Sequence, residues 1–182
     1  LPREFKGTHM SRFIEVLNEY KDEIHIKNFE NILNKIKSAL EAESAHMEIY
    51  FPYFMEKRAP VSGSVGLMEY NCCLQGMVGR LREFKVGINV PIQTLCPCSK
   101  EISDFGAHNQ RSLVSVMVRY EKFFWIEDLI ELIESCSSSQ VYPILKRPDE
   151  KFITEQAYNN PMFVEDVVRR AASLLSKRDE FS

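Results

Sequence analysis

Strict alternation between apolar and other residues is the feature that most constrains the fold of this chain. In the middle of the sequence every second residue is apolar, and these residues are Phe84, Val86, Ile88, Val90 and Ile92. A period of two places all of these side chains on one face of a β-strand. A strand with one apolar face needs neighbouring strands and a second layer that covers this face. The chain is therefore predicted to fold around an antiparallel sheet.

Three further segments are predicted to pair in this sheet. They begin at Ala45, extend from about Leu67 to Val78, and run from Val114 to Tyr120. Each contains apolar residues that alternate with polar or small ones, or a continuous run of strand-forming residues. Residues 60–66 between the first two segments are predicted to form a turn, because they combine proline, serine and glycine.

Apolar residues at helical spacing predict helices before and after the strands. The predicted helices run through Phe13 to Tyr20, Phe29 to Leu40, Ile126 to Ile133, a short segment opened by Pro148 and Asp149, and Phe163 to Leu174. Asn28 is predicted to cap the second helix. Asn160 is predicted to cap the last one, ahead of Pro161 at the first helical position.

This order of elements predicts an α+β fold in which helices pack on one face of antiparallel sheets. Each helix pair needs a full sheet to cover its apolar stripe, and the ends of the chain supply too few strands for two such sheets. We therefore expect two successive strand-strand-helix-helix-strand-strand modules. Residues 1–80 would form the first without its opening strands and residues 81–182 the second without its closing strands, so that the chain is a fragment.

Composition and charge exclude several classes of protein. A chain of 182 residues with 45% hydrophobic content can bury a sizeable core. Its net charge of −3 argues against a general electrostatic grip on nucleic acid. The sequence shows neither a membrane-spanning apolar run nor a signal peptide, so we expect no membrane partner and a cytoplasmic location. Five cysteines, unevenly placed, are unlike a secreted disulfide framework.

The segment from Thr94 to Ser112 concentrates reactive side chains between two predicted strands. Cys96 and Cys98 flank a proline, and His108 follows before the next strand begins. A short loop can bring thiolate sulfur and imidazole nitrogen onto one metal ion, as in zinc sites. A Cys-x-Cys pair also occurs in redox loops and in chains that bind nothing, so spacing alone leaves the metal open.

Five motifs together carry a resemblance to a known family. They are Phe5–Phe13, Pro60–Gly63, Leu95–Ser103, Gly106–Arg111 and Asn160–Asp166. These motifs resemble those of GTP cyclohydrolase type IB, the second type of prokaryotic GTP cyclohydrolase I. The resemblance implies a bimodular tunnelling fold and a homotetramer. It also implies hydrolysis of GTP to formate and 7,8-dihydroneopterin triphosphate, the first step of tetrahydrofolate biosynthesis. The sequence departs from the family by lacking its opening strands and the histidine-bearing segment that follows position 182.

The resemblance further implies one divalent metal ion, held by Cys96, His108 and Glu150. Opening the guanine imidazole ring requires water to attack C8, and a Lewis acid that lowers the pKa of water towards about 7 makes this attack feasible. Sulfur, nitrogen and oxygen donors together admit zinc, manganese or iron. From the sequence alone, a glutamate such as Glu150 in the first turn of a helix faces solvent and favours the helix dipole.

Two further residues are candidates for catalysis. Cys98 lies close enough to Cys96 to share the metal or to face the substrate, and we expect it to move protons during ring opening, with a purely structural cysteine as the alternative. Glu165 is implied as the purine anchor, since a carboxylate accepts hydrogen bonds from N1 and the exocyclic amino group of guanine. Asp166 competes for this role, because acids near a helix N-terminus are common for dipole reasons alone.

Several basic residues lie within or beside the motifs and are expected to bind the triphosphate of GTP at subunit boundaries. They are Lys6, His9, Arg12, Lys100 and Arg111. Two other functions stay open. An archaeal-type GTP cyclohydrolase would give a cyclic phosphate of dihydroneopterin. A non-catalytic module that binds a purine or pterin would not need the two cysteines, the histidine and Glu150 together.

Overall fold

Six helices and five strands make up the part of the chain that the computed structural model describes, residues 10–21 and 24–181. The helices are α1 Met10–Glu19, α2 Phe29–Ala39, α3 Pro97–Ile102, α4 Ile126–Glu134, α5 Arg147–Asn159 and α6 Val164–Leu175. The strands are β1 Ala45–Arg58, β2 Val65–Val78, β3 Glu83–Leu95, β4 Asn109–Arg119 and β5 Ser139–Gln140. No helix in these ranges has the length and apolar character needed to cross a membrane.

The strands form one antiparallel sheet in the order β1-β2-β3-β4, which confirms the predicted α+β class. β2 and β3 pair only as far as Asn71 opposite Asn89. Further along β3, the short strand β5 pairs with Ile92 and Gln93. Because β4 pairs with β3 on its other edge at these same residues, β5 continues the edge that β2 has left. The sheet is therefore forked at this end, and the β2–β3 hairpin crosses the predicted module boundary at residue 80.

The apolar face of the sheet is covered by helices, as the alternation predicts. Phe84, Val86 and Ile88 of β3 are almost fully buried and belong to one cluster with buried residues of α2, α4 and α6. The helical contributions include Phe29, Ile32, Leu33, Ile36, Leu129, Ile130, Ile133, Val167 and Ala171. Complete burial of one such large side chain contributes about 1.5–3 kcal/mol, so this layer supplies most of the driving force for folding.

The opposite face of the sheet carries large apolar side chains that remain exposed. Tyr50, Phe54, Leu67, Leu113 and Met117 project from alternate positions of β1, β2 and β4 and are 49–72% exposed. In the β-strand pattern these positions lie between those that face the helices. An apolar sheet face of this kind is a typical site of contact with another protein surface.

Two details of the predicted elements were wrong, and a third was right only in position. The cysteine segment was expected to be a loop, but residues 97–102 form the helix α3. Asn28 is the N-cap of α2 by position, as predicted, but its side chain makes no capping hydrogen bond; its carboxamide oxygen accepts from the backbone amide of His25. Asn160 is the C-cap of α5, and its side chain donates to the carbonyl of Ser137 at 2.9 Å. The last helix begins at Val164 because the Asp166 carboxylate caps it instead.

Two glycines in turns predict different costs of substitution. Gly79, between β2 and β3, has φ +124°, and a Cβ there would lie 2.4 Å from the carbonyl oxygen of Glu43. Gly63, between β1 and β2, has φ +69° with no atom within 4 Å of that position. We expect Gly63→Ala to lower the free energy of unfolding by about 1–2 kcal/mol from backbone strain. Gly79→Ala should cost about 1–3 kcal/mol more, because backbone atoms must also move. Urea denaturation of both variants measures this difference, and equal losses would contradict the clash.

Candidate active site

The cysteine segment is closed by an extension of the β3–β4 ladder. Leu95 pairs with Asn109, and one residue further the amide of Cys96 donates to the carbonyl of His108 at 3.1 Å. Residues that lie opposite one another in an antiparallel pair have Cβ atoms about 4.5–5.5 Å apart. The backbones of Cys96 and His108 are therefore adjacent, and the prediction that their side chains share a metal ion remains a prediction.

Ser99 in the first turn of α3 fixes this arrangement from inside the loop. Its hydroxyl donates to the carbonyl of Cys96 at 3.1 Å and accepts from the amide of His108 at 3.2 Å. The pKa of the Cys96 thiol lies below its usual range, mainly because the backbone amide of Ser99 donates to it, with further hydrogen bonds from the Ser99 side chain and from Cys98. A lowered pKa favours the thiolate, which is the form that binds metals.

This hydrogen bonding predicts how Cys96 reacts in metal-free protein. A depressed pKa means that the thiolate persists to lower pH, so alkylation of Cys96 by iodoacetamide should reach its half-maximal rate at a lower pH than alkylation of an ordinary cysteine. Ser99→Ala should move this midpoint upwards by removing a donor. Peptide mass spectrometry after timed labelling at each pH follows Cys96 separately. A midpoint that stays in place in the Ser99 variant would contradict the contribution of the Ser99 hydroxyl and leave the backbone amides as the cause.

The third predicted metal ligand is not joined to this pair. Glu150 is exposed in the first turn of α5, and its backbone amide donates to the carbonyl of Lys146. In the described ranges, no three side chains of histidine, cysteine, aspartate or glutamate converge as a metal site. Cys98 is exposed on α3. The assignments of Glu150 and Cys98 remain predictions.

Asp149, next to Glu150, ties the start of α5 to the turn between β1 and β2. Its carboxylate is fully buried and accepts hydrogen bonds from the amides of Val61, Ser62 and Lys146 and from the Ser62 hydroxyl, at 2.6–2.9 Å. Burial raises the pKa of Asp149, but the bonds from Ser62 and the backbone outweigh burial and hold the pKa below its usual range. The Pro60–Gly63 motif is therefore part of the same structural unit as Glu150.

Sequence reasoning left Glu165 and Asp166 as competitors, and the structure separates them. The Asp166 carboxylate accepts from the amide of Phe163 at 3.3 Å and pairs with Arg169 at 2.9 Å, so it is occupied as a helix cap. Glu165 is exposed, and its carboxylate makes no hydrogen bond or ion pair with any residue that the structure describes. The start of α6 lies beside the cysteine segment, because the amide of Met162 donates to the carbonyl of Leu95 at 3.0 Å.

The predicted phosphate-binding residues occupy different places. Lys6 and His9 lie outside the described residues. Arg12 donates to the carbonyl of Ala39 at the end of α2, next to the start of β1 and so at the end of the sheet remote from Cys96. Lys100 donates to the carbonyl of Tyr158 and lies 4.2 Å from the centre of its ring, which ties α3 to α5. Arg111 is exposed on β4 and forms no ion pair within the described ranges.

A pocket of about 280 Å³ lies beside the cysteine segment and includes Arg111. Amide side chains dominate its polar lining, and the full set is Gln93, Asn109, Gln110, Arg111, Gln140, Val141, Tyr142, Leu145 and Ile153. We call this cavity the amide pocket. Sequence reasoning missed the glutamines. The signal that could have found one of them is the strand register, which places Gln93 directly opposite Arg111.

Comparison with known proteins gives a consistent result over the whole chain. Residues 1–182 match the family described as type I GTP cyclohydrolase folE2. GTP cyclohydrolase FolE2 from Syntrophus aciditrophicus is 60% identical over 183 residues, covering 100% of this chain and 72% of the relative. The proteins of the same name from Geobacter sulfurreducens and Citrifermentans bemidjiense are 58% and 59% identical, covering 98% and 94% of this chain. The chain spans 69% and 64% of those two relatives.

Proposed function

The chain belongs to the FolE2 family of type I GTP cyclohydrolases, and from this membership we propose that it converts GTP and water to formate and 7,8-dihydroneopterin triphosphate. This reaction begins tetrahydrofolate biosynthesis. The observation that carries the assignment to a site is the pairing of Cys96 with His108. It lies next to the amide pocket, which offers to an anionic substrate Arg111, an arginine with no ion pair among the described residues.

We propose that Cys96, His108 and Glu150 hold one divalent zinc, manganese or iron ion. The lowered pKa of Cys96 and its position opposite His108 fit two of the three donors. For Glu150 the support is indirect: the buried contacts of Asp149 fix the turn of α5 that carries it. When bound, a metal ion with an open position supplies Lewis-acid activation of the water that attacks C8.

The protein groups around this centre have separate proposed tasks. Cys98 exchanges protons with the opening imidazole ring, since its thiol is exposed two residues from Cys96. Glu165 accepts hydrogen bonds from N1 and the exocyclic amino group of guanine, and its lack of a protein partner in the described ranges supports this role. Arg111 binds the triphosphate. Lys6, His9, Arg12 and Lys100 remain proposed phosphate contacts, with Arg12 placed to reach a site only in another subunit.

Glu165→Gln is expected to raise the KM for GTP and to leave bound metal unchanged. An amide offers one acceptor where the carboxylate offers two, and each purine donor left unpaired costs about 1–3 kcal/mol. Asp166→Asn is the matched control: it weakens the cap of α6 and should lower the free energy of unfolding by about 0.5–2 kcal/mol, with little change in KM. Steady-state kinetics and denaturation of both variants test the assignment. A raised KM in the Asp166 variant alone would transfer the role to that residue.

We also propose the bimodular tunnelling fold and a homotetramer with active sites at subunit boundaries, with modules divided near residue 80. The exposed apolar side chains on the helix-free face of the sheet support association, since they need cover in water. So does the exposure of Cys98, His108, Glu150 and Glu165, which leaves the proposed site open on one side. Full activity of a monomer at low concentration would contradict the tetramer.

The proposed reaction is tested by incubating the purified protein with GTP and zinc, manganese or iron in separate reactions. We expect formate together with a fluorescent pterin that retains a linear triphosphate. A cyclic phosphate on the pterin would instead indicate the archaeal-type reaction. Binding of GTP without release of formate under any of these metals would overturn the proposal in favour of a purine-binding module.

A further inference from the structure

A buried lysine lies at the forked end of the sheet, away from the groups assigned to the reaction. Lys57 of β1 is only 6% exposed. Its ammonium group donates to the Glu134 carboxylate at 2.7 Å and to the carbonyl of Val141 at 2.8 Å. It also lies 4.7 Å from the centre of the Tyr142 ring. The Tyr70 hydroxyl donates to the same Glu134 oxygen at 2.8 Å, so the carboxylate that pairs with the lysine is itself held in place.

The residues that Lys57 holds are a wall of the amide pocket. Val141 and Tyr142 line this pocket together with Gln140 of β5. On its other side the same segment is attached to β3, because the amide of Ser138 donates to the carbonyl of Gln93 at 3.1 Å. β5 itself has only two residues, which is too short to fix the wall by strand pairing alone. The hydrogen bond from Lys57 of β1 to the carbonyl of Val141 attaches the segment on this second side.

A stabilising role alone does not account for this cluster. Buried ion pairs seldom add net stability, because the cost of removing both charges from water offsets their attraction, and apolar replacements of similar volume are often tolerated. The cluster instead determines where one short segment lies: two donated bonds hold Glu134 of α4, and the same ammonium group donates to the carbonyl of Val141 and contacts the ring of Tyr142. The wall lines the same pocket as Arg111 and Gln93, whose side chains can donate hydrogen bonds to an anion.

We infer that Lys57 is a positioning residue for GTP: by holding Val141 and Tyr142, it sets the shape of the pocket in which Arg111 meets the triphosphate. This inference rests on the proposed function. It assigns to Lys57 no contact with the substrate. The role requires the position of the ammonium group, and it predicts an effect on substrate binding that exceeds any effect on the chemical step.

The test replaces the whole cluster by apolar residues of similar size, so that no buried charge is left unpaired. The triple variant Lys57→Met, Tyr70→Phe and Glu134→Met should fold, raise the KM for GTP about tenfold, as expected for one lost hydrogen bond or two, and change kcat much less. Amide hydrogen exchange in residues 139–142 should accelerate. The matched control is Arg82→Met with Glu30→Met, an exposed ion pair between α2 and the β2–β3 turn, which should alter neither measurement.

The outcomes separate the inference from the proposed function. Unchanged exchange in residues 139–142 would show that Lys57 does not hold the wall and would overturn the inference. Faster exchange with an unchanged KM would show that the wall is not part of the GTP site and would overturn it as well. A wild-type protein that releases no formate would overturn the proposed function itself. If the triple variant does not fold, the double variant Lys57→Met and Glu134→Gln takes its place, because the glutamine still accepts a hydrogen bond from Tyr70. A raised KM with faster exchange supports the inference, and no change in either measurement rejects it.

Discussion

Cys96→Ser is expected to remove both bound metal and turnover, whereas Cys98→Ser is expected to keep the metal and lose turnover. The two thiols are two residues apart, but the fold makes them different. Cys96 lies opposite His108, with its thiolate favoured by the amide of Ser99. A serine hydroxyl stays protonated near neutral pH and binds metals poorly, so the first variant loses the ion. Cys98 is exposed on α3 and is assigned to proton transfer.

The size of the second effect follows from the chemistry. A positioned general acid or base contributes about 10²- to 10⁴-fold to rate, so Cys98→Ser should lower kcat within this range. The measurements are metal per subunit by elemental analysis and formate release, on both variants beside the wild type. Loss of metal in both variants would indicate a site with two thiolates and remove Cys98 from catalysis. Normal turnover in the Cys98 variant would make this cysteine structural.

Glu134→Ala is expected to be the most destabilising of the single changes considered. It leaves the Lys57 ammonium group and the Tyr70 hydroxyl without their shared acceptor, in a region where the two charged side chains are 5% and 2% exposed. Removing one partner of a buried ion pair costs about 3–5 kcal/mol, because the remaining charge is uncompensated. Such a loss is a large fraction of the stability of a domain of this size.

The matched control for this change is Glu30→Ala. Glu30 forms a two-bonded ion pair with Arg82, but that pair is partly exposed, and such pairs contribute about 0–1 kcal/mol. Urea denaturation of both variants gives the comparison directly. An equal loss of stability in the two variants would contradict this prediction. It would mean that water reaches Lys57 and that the ion pair with Glu134 is not excluded from solvent.

Periodicity predicted the sheet and its helical layer well, for a physical reason. A strand with one buried face has an apolar residue at every second position, and the segment from Phe84 to Ile92 shows this pattern without interruption. The capping residues were harder to predict. Asn160 has a side chain that can cap a helix, but in the structure this side chain donates to the carbonyl of Ser137. The sequence around Asn160 contains no pattern that indicates this contact.

In the candidate site, too, local contacts were easier to predict than long-range ones. Cys96 and His108 are joined by a loop between adjacent strands, so local reasoning could bring them together. The alternation of β1 places Lys57 on the same face as Met47, Ile49 and Phe51, but nothing near it in the sequence indicates which group would pair with a lysine there. Its partner Glu134 is 77 residues away in the chain, and burial of both depends on a fork in the sheet that hydrophobic patterns do not show. Contacts between residues that are close in the sequence could be predicted, whereas contacts that depend on tertiary packing could not.

The long-range hydrogen bonds at the forked end of the sheet also affect the order in which the chain folds during synthesis. The hairpins of the sheet join strands that are close in the chain, and such pairings form early. The Asp149 contacts with Ser62 span 87 residues, and those of Lys57 with Val141 span 84. On a ribosome, the turn at residues 60–63 must therefore wait for most of the second half of the chain to emerge. We expect neither half to assemble this region alone, so the catalytic geometry is a property that only the joined halves acquire.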